Sequence, residues 1–328
     1  MKYLQAEKKD LKKMCELWNE VVQEEYFFKP MTLEEYQEKL LTNPDFTYQT
    51  VTVVYDNDEL IAYSIGYLRK KYLDNPNVAG VINAIIVKKE YRHKGIGSTL
   101  LRNLEQYFKE HGRTKVAATY FLPSCYSWYI PNTDNHDHPC SPGIRINSNE
   151  YFFYLHRGYE TYAYQDAFHL DLEQYELSDS VKKIIDENKK DGIVIELYDP
   201  NKHYGLEEFY RDLNINDFES VIRSNLSLEH PYPFLVVAKH NRIVGWTGAM
   251  WNETSGRGHF DGIAILEEVR GRGLGKALFS SLAYYNKMHG AKFMTFYTGL
   301  NNHARYIYMG AGFKIVQSFA GMQKNLAK

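Results

Sequence analysis

Val87-Lys-Lys-Glu-Tyr-Arg92-His-Lys-Gly95-Ile-Gly97 and Ile265-Leu-Glu-Glu-Val-Arg270-Gly-Arg-Gly273-Leu-Gly275 say nearly the same thing in the two halves of the chain. Each follows a strand-like apolar run, carries Arg-x-x-Gly-x-Gly, and leads into an amphipathic helical stretch, as in Leu100, Leu101, Leu104, Tyr107 and Phe108. The amides of a helix's first turn lack intrahelical partners and the helix dipole adds positive charge there, so a strand–turn–helix of this kind holds an anion. Gly95 with Gly97, and Gly273 with Gly275, let a diphosphate approach the backbone, while Arg92, His93, Lys94, Arg270 and Arg272 can supply charge. One such turn is often only a helix cap; two with the same flanks form a repeat. Neither turn carries Gly-Lys-Ser/Thr, and neither is the GxGxxG of a first βα unit, which argues against ATP and NAD.

The 328 residues suit two domains of roughly 100–200 residues each. With 44% hydrophobic and 24% charged residues the composition is that of a globular protein, and a net charge of −2 does not suit a nucleic-acid binder with a broad basic face. No run approaches the ~18 apolar residues of a membrane span, and the N-terminus does not read as a signal peptide, so a cytoplasmic protein with no membrane partner is expected. Cys15, Cys125 and Cys140 are sparse and odd in number, which predicts free thiols.

Patterning predicts a strand over 2–6, a helix capped by Asp10, strands over 47–55, 60–69 and 78–87, the first glycine turn with its helix, and a strand over 116–120. Residues 121–145, with Pro123, Pro131, Pro139 and Pro142, break the pattern as an insertion. A helix over 148–156 and a long strand over 159–170 follow. The second half replays this order after a helical linker over 171–192, with strands over 193–197, 234–239, 243–250, 259–265, 292–297 and 313–319, and helices over 204–226, 277–288 and 302–309. The expected domains are thus 1–170, including the insertion, and 193–328.

A second repeat follows each turn: Asn147-x-x-Glu150-x-x-Phe153-Tyr154-x-x-x-Gly158-Tyr159 and Asn301-x-x-Ala304-x-x-Ile307-Tyr308-x-x-x-Gly312-Phe313. Together, the Arg-x-x-Gly-x-Gly and Asn…Tyr…Gly-aromatic elements resemble the GNAT superfamily of acyl-CoA-dependent N-acetyltransferases, in two tandem copies covering essentially the whole chain. The resemblance implies an α/β fold, a mixed sheet flanked by helices, in two GNAT-like domains that use acetyl-CoA. It implies that the turns Arg92, His93, Lys94, Gly95, Ile96, Gly97 and Ser98, and Arg270, Gly271, Arg272, Gly273, Leu274, Gly275 and Lys276, cradle the CoA pyrophosphate. It implies that the strand ends Ile85, Ile86 and Val87, and Ile263, Ala264 and Ile265, pair with the pantetheine arm and offer an N–H to the thioester oxygen. Asn147 and Asn301 would contact the cofactor arm or position a water, and Tyr308, with Tyr154 as its equivalent, would protonate the departing thiolate.

An attacking amine must be neutral, so a base has to accept its proton. His259 and Asp261 lie two apart on the expected strand before the second turn and share a face, which makes them the base candidates; the first copy has Val81 and Asn83 there, and neither titrates. The C-terminal copy is therefore the expected catalyst, by direct attack of a small-molecule or peptide amine. The alternative is an acyl-CoA-binding regulatory or structural module with one or both copies inactive, and a longer acyl or aminoacyl donor is a third class. The first copy departs from the second in Glu150 against Ala304, in Tyr159 against Phe313, and in its insertion, whose aromatic and proline-rich composition suits a stiff wall over a cleft or a filler between domains. Cys125, His136, His138 and Cys140 do not match a structural-zinc spacing, and no metal is expected. A monomer or a homodimer is expected.

Overall fold

The computed structural model describes residues 1–121, 123–213 and 216–326. The parts of the insertion, of the 204–226 helical stretch and of the C-terminal domain that fall on Leu122, Asn214, Ile215, Ala327 and Lys328 lie outside the described residues. The chain divides into two units, Met1–Asp166 with Gln317–Lys328, and Ala167–Val316.

Unit 1 opens with β1 (Lys2–Gln5), α1 (Leu11–Glu25) and α2 (Leu33–Leu41). Asp10 precedes α1 without capping it; its carboxylate accepts the Glu7 amide at 2.7 Å and the Tyr55 hydroxyl at 2.8 Å. β2 (Val51–Asp56), β3 (Glu59–Tyr67) and β4 (Gly80–Val87) form an antiparallel meander, with β1 on β2. α3 (Ile96–Glu110) leads to β5 (Lys115–Ala118), which pairs parallel with β4 only from Gly80↔Val116 to Ile82↔Ala118, so β4 continues past its partner from Asn83 onward. Phe108 of α3 lies against the backbone of Gly66 and Gly80, an approach that a Cβ at either position would prevent.

The insertion is irregular, as expected, with only the short strands β6 (Trp128–Tyr129), β7 (Asp137–His138) and β8 (Ile144–Arg145). Tyr126 and Trp128 are fully buried, so it packs as part of the unit 1 core. The expectation of three free thiols is corrected: Cys125 and Cys140, with Cα atoms 4.8 Å apart, form a disulfide, and Cys15 alone is free and buried. The fold brings the two cysteines together through the β6–β7 pairing between them.

α4 (Asn149–Leu155) is capped by the Ser148 hydroxyl, which accepts the Tyr151 amide at 3.0 Å. β9 (Glu160–Asp171) then carries the chain across the unit boundary. Unit 2 contains α5 (Asp179–Lys190), β10 (Ile193–Leu197), α6 (Leu206–Leu213), α7 (Asn216–Leu226), β11 (Leu235–Lys239), β12 (Arg242–Gly248), β13 (Gly262–Ile265), α8 (Leu274–Met288), β14 (Phe293–Gly299) and α9 (Ala304–Gly310). Strands β10 to β13 form an antiparallel sheet in chain order.

β15 (Lys314–Asn325) starts in unit 2 and from Gln317 belongs to unit 1, where Met322–Asn325 pair antiparallel with β5. The division therefore differs from the boundaries read in the sequence. The 171–192 segment lies inside unit 2, and the last strand of the chain completes the first sheet because Ala320, Met322 and Leu326 bury into the first core. Among the described residues no helix is long and apolar enough to cross a membrane.

Candidate functional site

The two glycine turns have the same local construction. Gly95 (φ +83°) and Gly273 (φ +75°) precede α3 and α8 in the left-handed region, where glycine is the residue of least strain. Arg92 Nε donates to the Val87 carbonyl at 3.0 Å and Arg270 Nε to the Ile265 carbonyl at 3.3 Å, so each arginine fastens the turn to the end of its own strand. Gly97 lies under the Phe153 ring and Gly275 under Ile307, the same position of the second repeat, so the second glycine of each pair lets the following helix close on the turn.

Their surroundings differ. A Cβ at Gly95 would meet nothing within 4 Å, and His93 and Lys94 are exposed beside it. At Gly273 the Ile184 side chain of α5 lies 2.9 Å from the same point. Asn188 of α5 donates to the Arg272 carbonyl at 3.2 Å, Arg272 pairs with Asp191 at 2.7 Å, and Lys276 bonds Ser180 at 3.2 Å. The helix expected as a linker thus flanks the second turn and engages its charge.

In unit 1 Arg92, which pairs with Glu25 at 3.4 Å, lines a cavity of about 270 Å³ with Phe27, Phe28, Arg145, Ser148 and Glu150 among others. Glu150 is the residue there that sequence reasoning did not assign a role. It is half-buried and accepts the Tyr120 hydroxyl at 2.6 Å. Burial pushes its carboxyl up to about 7, against the opposing Tyr120 hydrogen bond and the Arg145 charge. The signal was present as the contrast between Glu150 and Ala304. Tyr154, one turn further along α4, is buried, and burial with the nearby Glu150 and Glu105 charges holds its phenol well above the usual range. Asn83 is committed to structure: its amide donates to the Ser124 carbonyl at 3.0 Å and accepts the Tyr126 hydroxyl at 2.7 Å. Asn147, at φ 65°, is exposed and directly precedes the Ser148 cap.

In unit 2, His259 and Asp261 are brought together, with His259 Nε2 2.6 Å from Asp261 Oδ1. They precede β13 rather than lying on it, because Asp261 turns its other carboxylate oxygen onto the Ala249 amide at 3.0 Å. His259 stacks on Trp251, with ring centroids 3.3 Å apart, and its Nδ1 is 3.8 Å from Glu253. Burial alone would lower the imidazole, but the Asp261 hydrogen bond and the nearby Glu253 carboxylate raise it above its ordinary value. Tyr308 is buried among Phe168, Phe260, Phe279 and Phe296, and burial pushes its phenol up to about 12, so it keeps its proton at neutral pH. Asn301 is exposed, and its neighbour Asn302 accepts the Ala304 amide at 3.0 Å. Ile263, Ala264 and Ile265 lie on β13, the end strand of its sheet, and Ile85, Ile86 and Val87 lie on the part of β4 beyond its pairing with β5.

The site residues therefore fall into two sets, one per unit, each with a turn, a strand with an edge that has no strand partner among the described residues, and a buried tyrosine. Among the described residues no group of three or more His, Cys, Asp or Glu is gathered to hold a metal. The first turn leaves open space at Gly95, and the β4 edge from Asn83 onward extends past its pairing with β5.

The Acetyltransferase (GNAT) family model matches residues 11–126 and 193–313, and the chain belongs to this family, as two copies. No curated protein sequence matches it. Among solved structures, it is similar to a GCN5-related glucosamine N-acetyltransferase region in a fungal multi-domain β-N-acetylglucosaminidase, at 14% identity and a TM-score of 0.65, covering 98% of this chain and 38% of that one. It is similar to a GCN5-related N-acetyltransferase from Sphaerobacter thermophilus, at 16% identity and a TM-score of 0.58, covering 99% and 95%. A tandem GNAT protein from the clavulanic acid biosynthesis pathway gives 12% identity and a TM-score of 0.57, covering 99% and 98%. These likenesses are of fold. The family and fold are those of acyltransferases, a fold that generally binds acetyl-CoA.

Proposed function

We propose that the protein transfers an acetyl group from acetyl-CoA to a primary amine of a small molecule or peptide, and that the first copy holds the acyl-CoA. The observation that carries this reading is the bare first turn beside the cavity that contains Glu150, against a second turn flanked by α5. Residues 92–98 would hold the diphosphate and residues 85–87 the extended arm. Bound acetyl-CoA would supply an activated acyl group.

The chain's own residues do the rest. Glu150, with a carboxyl near 7, is poised to accept the proton of an aminium at neutral pH, and Tyr120 orients it by donating to one of its oxygens. Tyr154 is protonated throughout the neutral range and would donate that proton to the leaving group. Phe27 and Phe28 give the cavity an apolar side, so the acceptor amine is lodged by contact as well as by charge. The test is a screen of amines, amino sugars and short peptides with thiol release as readout, on the native protein and on Glu150→Gln; thiol release unaltered by that substitution would remove Glu150 from the reaction.

A second reading places transfer in the C-terminal copy, the copy favoured by the sequence. The 2.6 Å His259–Asp261 hydrogen bond and the protonated Tyr308 support it. Tyr308→Phe separates the two: the first-copy reading expects unchanged turnover, the second a clear loss.

A further inference from the structure

Unit 1 has a second cavity along α3, about 600 Å³, lined by Ser98, Arg102, Glu105, His156, Arg157 and Lys324 among others. Its one carboxylate is already used, since Glu105 pairs with Lys324 at 3.1 Å and accepts the Tyr159 hydroxyl at 2.9 Å. The two guanidinium groups are not neutralised. Arg157 donates to the Ser98 hydroxyl (3.2 Å from Nε) and to the Phe153 carbonyl at 2.8 Å, and lies 3.9 Å over the Phe153 ring. Arg102 donates to the Thr99 hydroxyl at 3.2 Å. Neither has a carboxylate partner among the described residues, and burial together with the Arg102 charge holds Arg157 below its ordinary value. Two such cations in one cavity call for a doubly charged anion.

The second copy supports this by contrast. Its equivalents of Ser98, Arg102 and Arg157 are Lys276, Ser280 and Ala311. That strip is covered by the chain itself: Ser180 bonds Lys276 at 3.2 Å, and Tyr175 donates to the Ser280 carbonyl at 3.5 Å. Where the arginine pair is missing, polypeptide lies in its place.

We infer that Arg102 and Arg157 form a phosphomonoester site continuous with the first glycine turn, and that its occupant is the terminal 3′-phosphate of CoA. Ser98 joins the two, being part of the turn's first helical residues and the acceptor for Arg157; Arg102 stands one helical turn, about 6 Å, further along α3. This inference rests on the reading that the first turn holds acyl-CoA.

Calorimetry with CoA, 3′-dephospho-CoA and inorganic phosphate tests it on the full chain, comparing the native protein with Arg102→Gln/Arg157→Gln and with Arg157→Lys. Native protein should prefer CoA over dephospho-CoA by about 10- to 100-fold, the double variant should bind both equally and as the native protein binds dephospho-CoA, and Arg157→Lys should keep part of the preference. Equal binding of both ligands by native protein overturns the inference and leaves the acyl-CoA reading standing. Binding of neither overturns both. Phosphate binding lost in the double variant without any CoA preference identifies free phosphate as the ligand and overturns the assignment to CoA. The circular dichroism and melting temperature of each variant establish that it is folded.

Discussion

The two glycine turns are built alike to within 8° in φ at Gly95 and Gly273, +83° against +75°, and the same arginine bond ties each to its strand; both are exposed, but the second has α5 against Gly273 and the first has nothing there. The cradle is a local device that about ten residues specify. What lies beside it depends on segments distant in sequence, here α5 for the second turn.

The sharpest way to break this contrast is to fill each turn. Gly95→Val should abolish measurable acyl-CoA binding, a loss of at least about 100-fold, or ~3 kcal/mol, while Gly273→Val should leave one bound ligand per chain. Calorimetric stoichiometry decides it, and loss of binding only in Gly273→Val would reverse the assignment. Glu150→Gln should lower kcat by about 10²- to 10⁴-fold with little change in acyl-CoA affinity. In native protein kcat should rise with pH through about 7 as Glu150 ionises, and this limb should vanish in the variant.

A smaller effect is expected from the disulfide that closes a loop across a sequence separation of 15. Cys125→Ser/Cys140→Ser should cost unit 1 about 2–4 kcal/mol, seen as a lower midpoint in denaturant titration. The smallest concerns the second unit. A raised imidazole contributes stability that is fully present below its unfolded value, near 6.5, and is lost as pH rises through the folded value. His259→Gln should therefore destabilise more at pH 5.5 than at pH 8.5, and melting curves at the two pH values check it.

Much of this was legible in the sequence. The turns, the strand–helix order and the equivalence of Tyr154 with Tyr308 follow from short-range patterns that the backbone obeys locally. The pairing of His259 with Asp261 was also legible, although through a loop rather than a strand face. What was not legible depends on long-range packing. Glu150 gains its raised carboxyl from a cavity assembled by residues far apart in sequence, Asn83 is consumed by Ser124 and Tyr126, and α5, read as a linker, packs on Gly273. The disulfide escaped because cysteine count speaks of averages and Cα separation does not appear in a sequence.

The crossing of β15 has a consequence for how the chain matures. Unit 1 takes its strand partner for β5 from Met322–Asn325, so a ribosome must make all of unit 2 before the first sheet can close. During synthesis the β5 edge and the apolar surface later covered by Ala320, Met322 and Leu326 stay open. A fragment ending at Asp166 inherits that open edge permanently. Joining residues 317–326 to it through a short flexible linker is the rearrangement that would release the first copy as a domain in its own right.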